Sequence, residues 1–500
     1  MANYFITSME DPMPSAIEIA QAKRIKLFNA NGQNAKIVET EYNNAHAYAQ
    51  RNLGTEGKVI NLYQYFQNLN YQDDPVIDRV IINQITQMSG YELRNNAAYK
   101  DNKLRLKIGF LYNRLYSIDY YDRYGFLDRT DYYDQGCLSF TDFYEDKGRL
   151  VLTQYYNDNS KPIILMHYRG GEGNSPILTL IQLYYRDVWH NFDSITAFRA
   201  YFFDELAQND LKAVFFADRS ERTLYEFQQM RQIVPRYLIF HSSVTVDGQR
   251  NGRLFGMYES ISDMLNQGSL NGLISSTNQE ADDVANIFKT NHSYAIPVTY
   301  ASDNIKPVSF ANRMPYNLIA VARLSEEKRL DHIIRAVIKL KPKYPQLNLT
   351  FYGYEQSTTD KVTGPSLHNL VIQNHAQNYI HFAGFLNNLD NVYNNAWLEI
   401  LTSKYEGFAM ALLEAQEHGC PAVAYNVNYG PKEIITDNYT GKLVQAGNEV
   451  QLVQTLDALL SHPAILADYS KNAYSVVRKY SFSNVANAWH NFELRENLVN

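Results

Sequence analysis

Cysteine is almost absent: the 500 residues contain two, Cys137 and Cys420, far apart and in no CxxC pair. A disulfide framework is therefore not expected, and the usage is that of a reducing compartment. A basic excess is missing as well, since 46 Lys and Arg against 53 Asp and Glu leave a formal net charge of −7. A general nucleic-acid binder needs surplus cations to replace condensed counterions, so no nucleic-acid partner is expected. No run approaches the roughly 20 apolar residues of a membrane-spanning helix. The opening MANYFITSMEDPMPSAIEIA carries Glu10 and Asp11 and no apolar stretch behind basic residues, so a secretory signal is not expected and the chain reads as cytoplasmic. There is no His/Cys cluster at metal spacing and no Asp-x-Asp. No metal site and no cofactor are expected. What the chain does have is length for about three folding units, a globular composition of 45% hydrophobic and 20% charged residues, and an unusual 40 tyrosines.

The opening predicts a strand over 3–7, a Pro-rich loop, a helix from about Ser15 to Asn29 and a second strand over 35–39. A β-α-β start of this kind points to a parallel, doubly wound sheet whose ligand loops follow the strands. From about Val59 to Asp187 short alternating runs rich in tyrosine predict hairpins of an antiparallel meander. Tyrosine suits a half-buried sheet face, and it also suits an interaction or sugar-stacking face. Strand–helix alternation resumes near Ala213, and a second series runs from Asn317 past Leu443. The predicted fold is α/β, with two doubly wound Rossmann-like domains facing a cleft and the meander inserted in the first. The expected boundaries are 1–58 with 188–311, then 59–187 for the meander, 312–481 for the second domain, and a helix over 482–500 that crosses back to the first. Pro307–Pro315 is the expected linker. Gly171-Glu172-Gly173 lacks the third glycine of a dinucleotide fingerprint and reads as a turn.

Two stretches point to chemistry. In SKYEGFAMALLEA, Ser403–Ala415, a buried strand ends at Glu406-Gly407 and a helix follows that contains Glu414. Gly407 admits a ligand close to the backbone, and the N–H groups of Phe408, Ala409 and Met410 offer partial positive charge to a phosphate. In AVARLSEEKRLDHIIRA, Arg323 follows a strand and Lys328 falls in the first turn of a helix that Ser325 is expected to cap. A cation at that end of a helix is locally unfavourable, which a bound anion would offset. Taken alone, the first stretch is as consistent with a capped core helix, and the second with two solvated cations.

Together the two stretches resemble the retaining GT-B glycosyltransferases of family 4, whose E-x7-E signature is matched by Glu406 and Glu414 and whose Arg-x4-Lys clamp is matched by Arg323 and Lys328. The resemblance implies that Arg323 and Lys328 hold the diphosphate of a UDP-sugar. It further implies that Glu406 contacts the donor hexose, Gly407 to Met410 the diphosphate or sugar, Glu414 the ribose, and Gly384-Phe385 the base. The N-terminal half is similar to bacterial wall-teichoic-acid α-glycosyltransferases and to the enzymes that glycosylate serine-rich adhesins. In that group SAIEIAQAKRIKLF would be the first helix, His241 the active-site histidine, and Ser15 and Ala16 the donor-phosphate loop. The family usually has glycine there, where this chain has Met13, Pro14, Ser15 and Ala16. The second resemblance implies transfer of glucose or N-acetylglucosamine to an adhesin glycan, or alternatively to poly(glycerol or ribitol phosphate). A homo-oligomer joined through the meander and a place near the inner face of the membrane are further expectations. A non-catalytic scaffold of the same fold is the reading from another class.

Overall fold

The computed structural model describes residues 2–72, 74–145, 147–171, 175–220, 223–302, 306–355 and 363–499. Contacts divide the chain into two units, Met1–Glu18 with Gln33–Arg236, and Ile19–Gly32 with Tyr237–Asn500.

In the first unit four parallel strands run in the order Val214–Ala217, Ala2–Thr7, Asn34–Glu39, Val59–Asn61. Every residue of Ala2–Thr7 and Val214–Ala217 is buried, as expected of parallel strands covered on both faces. The helix Ala16–Ala30 starts with a capping box. Glu18 Oε2 accepts the Ser15 N–H at 2.8 Å and the Ser15 hydroxyl, while Ser15 Oγ accepts the Ile17 N–H at 3.3 Å. Arg219 holds this box through Glu18 Oε1 at 2.6 Å.

The antiparallel meander begins at Glu92, not at Val59. Val59–Asn61 pairs in parallel with Asn34–Glu39, and Leu62–Gln67 and Pro75–Ser89 are helices. Local capping decides both helices: Asn61 Oδ1 accepts the Tyr63 N–H, and Pro75–Ser89 has Asp74 as N-cap, proline in its first turn and Gly90 with φ 62° at its C-cap. From Glu92–Arg94 to Val188–Phe192, ten strands then pair in sequence order. A buried pair, His46 Nε2 to Asp134 Oδ2 at 2.7 Å, ties the helix His46–Leu53 to this sheet. Glu172 and Gly173 of the expected turn lie outside the described residues.

Two carboxyls meet under the first strand ends. Glu39 Oε1 accepts the Glu10 N–H at 2.6 Å, and Thr55 donates to Glu10 Oε2 at 2.9 Å. Burial first, and Glu39 second, push the Glu10 carboxyl up to about 8. Folded protein therefore keeps a proton that the unfolded chain has already lost, so stability is greatest below about pH 5 for this group and falls as pH rises toward 8. The expected slope is at most about 1.4 kcal/mol per pH unit. Urea midpoints measured from pH 5 to 8 should show this slope, and Glu10→Gln should flatten it; an equally steep slope in the variant contradicts the assignment.

The second unit holds three parallel strands, Arg236–Ile239 from the boundary onward, Gly272–Ser275 and Ser293–Ala295. It also holds a six-stranded parallel sheet in the order Ile380–Gly384, Asn348–Tyr352, Asn317–Val321, Leu398–Leu401, Ala422–Asn426, Gly441–Gln445. Strand order reverses between Asn317–Val321 and Leu398–Leu401, which is the switch point where doubly wound sheets bind ligands. The helix Leu330–Leu340 buries Leu330, Ile333, Ile334, Val337 and Leu340, the i, i+3, i+4, i+7 face, into this unit's core. The last helix, Phe482–Arg495, sets Phe492 edge-on to Tyr237 and Tyr294, and Glu496 just beyond it accepts the Tyr237 hydroxyl at 2.7 Å.

Candidate active site

The residues singled out in the second half gather at the carboxyl ends of the six-stranded sheet. Beyond Asn317–Val321 the chain makes a 3-10 turn, Glu326–Lys328, and Arg329 at φ 46° precedes the helix Leu330–Leu340. Ser325 does not cap that helix, and Lys328 is not in its first turn. Ser325 Oγ instead donates to Glu327 Oε1 at 2.6 Å, a carboxylate two residues on that outcompetes the more distant helix N–H groups. Arg323 donates to the same Glu327 oxygen at 3.1 Å, with its side chain 40% exposed.

Lys328 turns to the neighbouring strand end. Its Nζ lies 2.7 Å from Glu406 Oε1, with the two side chains 17% and 11% exposed. Ser403 Oγ donates to the same oxygen at 2.5 Å. Thr402 Oγ1 donates to the carbonyls of Lys328 and Arg329, pinning the two loops together. The Lys328 ammonium is thus paired within the protein by Glu406. Beneath them Glu399 is fully buried in the strand Leu398–Leu401, and its Oε1 accepts the Val321 N–H at 3.0 Å. Burial pushes its carboxyl well above the usual range.

The loop after Glu406 is held on both sides. The Glu406 N–H donates to the Asn428 carbonyl at 2.8 Å, and its carbonyl accepts the Tyr429 N–H at 2.6 Å. A Cβ on Gly407 would lie 2.4 Å from the His241 carbonyl oxygen, and one on Gly430 would lie 1.9 Å from that of Phe408. His241, just past the strand Arg236–Ile239, therefore abuts Gly407 through its backbone. Ala409 is left-handed at φ 69°, and the helix Met410–Glu417 starts after it without a side-chain cap. Among the described residues none accepts the N–H groups of Gly407, Phe408 or Ala409. Such uncapped amides form a ready anion cradle.

Glu414 lies one helical turn on, and Tyr393 donates to its Oε2 at 3.2 Å. Burial raises its carboxyl above the ordinary value, with Lys23 opposing. Gly384, φ 73°, ends the strand Ile380–Gly384 and accepts the Gly353 N–H at 2.9 Å; Phe385 packs 6.3 Å from Tyr354. The structure thus brings together His241, Lys328, Glu406 and Gly407 to Met410, with Arg323, Gly384, Phe385 and Glu414 on the same unit. Ser15 and Ala16 belong to the first unit. Sequence reasoning missed Thr402, Ser403, Glu399, Gly353 and Gly430. Glycines after strands, at TFYGY and NVNYGP, are the one signal that marks part of this set. A Cβ on Gly353 would sit 2.1 Å from the Ala322 carbonyl oxygen.

Two cations, a carboxylate and backbone amides without acceptors thus lie on one unit at the carboxyl ends of a doubly wound sheet. Residues 301–476 match the family described as glycosyl transferases group 1. The second unit therefore contains a group 1 glycosyltransferase domain. The chain is 25% identical over 291 residues, 56% of its length, to a poly(glycerol-phosphate) alpha-glucosyltransferase of Bacillus subtilis. It is 31% identical over 184 residues, 35% of its length, to the UDP-N-acetylglucosamine–peptide N-acetylglucosaminyltransferase GtfA subunit of Streptococcus gordonii. These matches span 41% and 35% of the two relatives' own lengths. The crystal structure of the pneumococcal O-GlcNAc transferase GtfA with UDP and GlcNAc superposes with a TM-score of 0.82, covering 100% of this chain and 99% of that one at 20% identity. The fold is therefore that of the GT-B enzymes. Among the described residues of the glycosyltransferase domain and the rest of the chain, no three His, Cys, Asp or Glu are placed to hold a metal, and no helix is long and apolar enough to cross a membrane.

Proposed function

We propose that the chain is a retaining glycosyltransferase that moves glucose or N-acetylglucosamine from a UDP-sugar to a glycan on a serine-rich surface adhesin. The observation that supports this most is the Lys328–Glu406–Ser403 cluster beside the unbonded amides of Gly407 to Ala409. In this reading Arg323, Lys328 and the amides stabilise charge on the departing UDP, a preorganised electrostatic role that needs no metal. Glu406 keeps Oε2 for a donor hydroxyl while Lys328 and Ser403 occupy Oε1. His241 faces the donor sugar, Glu414 the ribose, Gly384-Phe385 the base, and Ser15 with Ala16 the donor phosphate. The donor phosphate itself takes the acceptor proton as substitution proceeds on one face. Burial raises the Glu414 carboxyl above its ordinary value, and its oxygens accept from a ribose hydroxyl pair. Glu414→Ala is expected to weaken UDP binding about tenfold, the worth of hydrogen bonds to a charged or polar pair; an unchanged dissociation constant by calorimetry sinks the ribose role.

The second acceptor reading is a poly(glycerol or ribitol phosphate) chain, which the activity of the Bacillus subtilis relative favours. Against it stands the net charge of −7, since a polyanion favours a basic groove. Purified adhesin and teichoic-acid chains incubated with labelled donor separate the two. Label shifting the adhesin band supports the first reading, and label confined to teichoic acid replaces it with the second. Self-association through the meander belongs to the same proposal and is read by light scattering of the full chain.

A further inference from the structure

A cavity of about 550 Å³ lies wholly within the first unit, and its position points to a ligand. Met9 follows the strand Ala2–Thr7, Glu41 to Asn44 follow Asn34–Glu39, and Tyr63 follows Val59–Asn61; all line it. The cavity is thus at the carboxyl ends of three parallel strands, where doubly wound sheets bind small molecules, and its size is that of a ligand pocket.

The meander supplies the opposite wall. Tyr132 pairs across strands with Phe140, and Phe140 with Tyr155. Their rings stack at 4.4 and 4.9 Å, and Tyr63 continues the stack on Tyr155 at 4.6 Å. Asp142, two residues after Phe140 and so on the same face, lines the cavity beside them. Thr153 donates to Asp142 at 2.5 Å and is its one side-chain partner among the described residues. Burial lifts the Asp142 carboxyl above its ordinary value. Two donors are buried at the cavity without a hydrogen-bond partner, the Asn44 Nδ2 and the Nε of Arg199, which is itself 6% exposed. Arg199 is not a spare cation, because Glu41 and Glu226 flank it at 3.4 Å each.

We infer that this cavity is a subsite for a neutral pyranose, a sugar residue of the acceptor glycan. The edges of the stacked rings give the cavity an apolar wall for the C–H groups of a pyranose, while a carboxylate, an amide and a guanidinium Nε match its hydroxyls. An aliphatic or aromatic guest would leave the two buried donors unsatisfied. A phosphodiester would meet Glu41 and Asp142, whose charges exceed the single, already paired guanidinium. The inference rests on the glycosyltransferase reading for the word acceptor, and on the cavity alone for the word pyranose. No covalent step takes place in the cavity. It holds a sugar and thereby selects glycan chains already bearing one.

Saturation-transfer NMR on the full chain, with methyl glycosides of glucose and N-acetylglucosamine and with UDP present, tests it. The expected result is transfer to the pyranose protons that survives Glu406→Ala and weakens about tenfold in Asp142→Leu. Asn44→Asp, at the half-buried rim, is the second variant and should weaken binding similarly if Asp142→Leu fails to fold. Glycoside binding lost in Glu406→Ala but intact in the folded cavity variants overturns the inference, as does tighter binding of glycerol phosphate oligomers than of the glycosides. A separate UDP titration distinguishes the two levels. Glycoside binding without UDP binding sinks the donor reading and leaves the subsite standing, whereas UDP binding without glycoside binding does the reverse.

Discussion

Lys328→Ala is expected to lower kcat/KM for transfer from a UDP-sugar by about 10²- to 10³-fold, the effect of removing one preorganised donor from a developing anion. The magnitude follows from where the ammonium sits. It is mostly buried, 2.7 Å from Glu406, and adjoins a backbone whose amides have no partner. Two effects combine: the diphosphate loses a point charge, and Glu406 keeps one partner, Ser403, for a carboxylate largely removed from water. The double variant Lys328→Ala/Glu406→Ala separates them. It should recover the stability that the single variant loses, measured by urea denaturation, while transfer stays low. A double variant that recovers transfer would mean that Lys328 serves only to neutralise Glu406.

Gly407→Ala is expected to reduce transfer by about 100-fold, because a displacement of about 1 Å at a reacting centre is worth that much. An added Cβ meets the His241 carbonyl oxygen at 2.4 Å, the His241 carbonyl carbon at 2.7 Å and the Ser242 nitrogen at 3.0 Å. All three are backbone atoms, so no side chain can swing aside. The strand-end loop itself must move, and with it Glu406 and the amide cradle. Gly268→Ala is the matched control, since nothing lies within 4 Å of its added Cβ. It meets only the left-handed backbone strain at φ 72°, about 1 kcal/mol. Both variants are assayed for stability and for turnover; equal losses of turnover contradict the steric account.

The parallel sheets and the carboxylate pair were legible in the sequence for a physical reason. A buried parallel strand is a continuous apolar run such as LEIL, and a helix packed on it must show its i, i+3, i+4 face, as LDHIIRAVIKL does. Glu406 stands out at a strand end before a glycine, eight residues from Glu414, whereas Lys328 is marked by an expected place in a helix's first turn and the 3-10 turn Glu326–Lys328 holds it instead. The failures arose where short-range competition decides geometry. Ser325 met Glu327 before it met a helix amide. Ala409 took a left-handed conformation that costs any residue with a Cβ and that alanine does not signal. The Pro75–Ser89 helix was hidden by the surrounding tyrosine-rich alternation, although Asp74, Pro75 and Gly90 spell out its two ends. Glu399 gave no signal at all, since a lone acidic residue in an apolar strand does not reveal that it will accept the Val321 N–H across the switch point.

The proposed function depends above all on the second unit holding a UDP-sugar through its own cations and amides. Calorimetric titration of the full chain with UDP, UDP-glucose and UDP-N-acetylglucosamine in EDTA tests it most directly, with Lys328→Ala alongside. UDP and one of the two sugar nucleotides are expected to bind without metal, and Lys328→Ala to weaken both about tenfold or more. Folded protein that binds none of the three, or a Lys328→Ala variant that binds them unchanged, would contradict it.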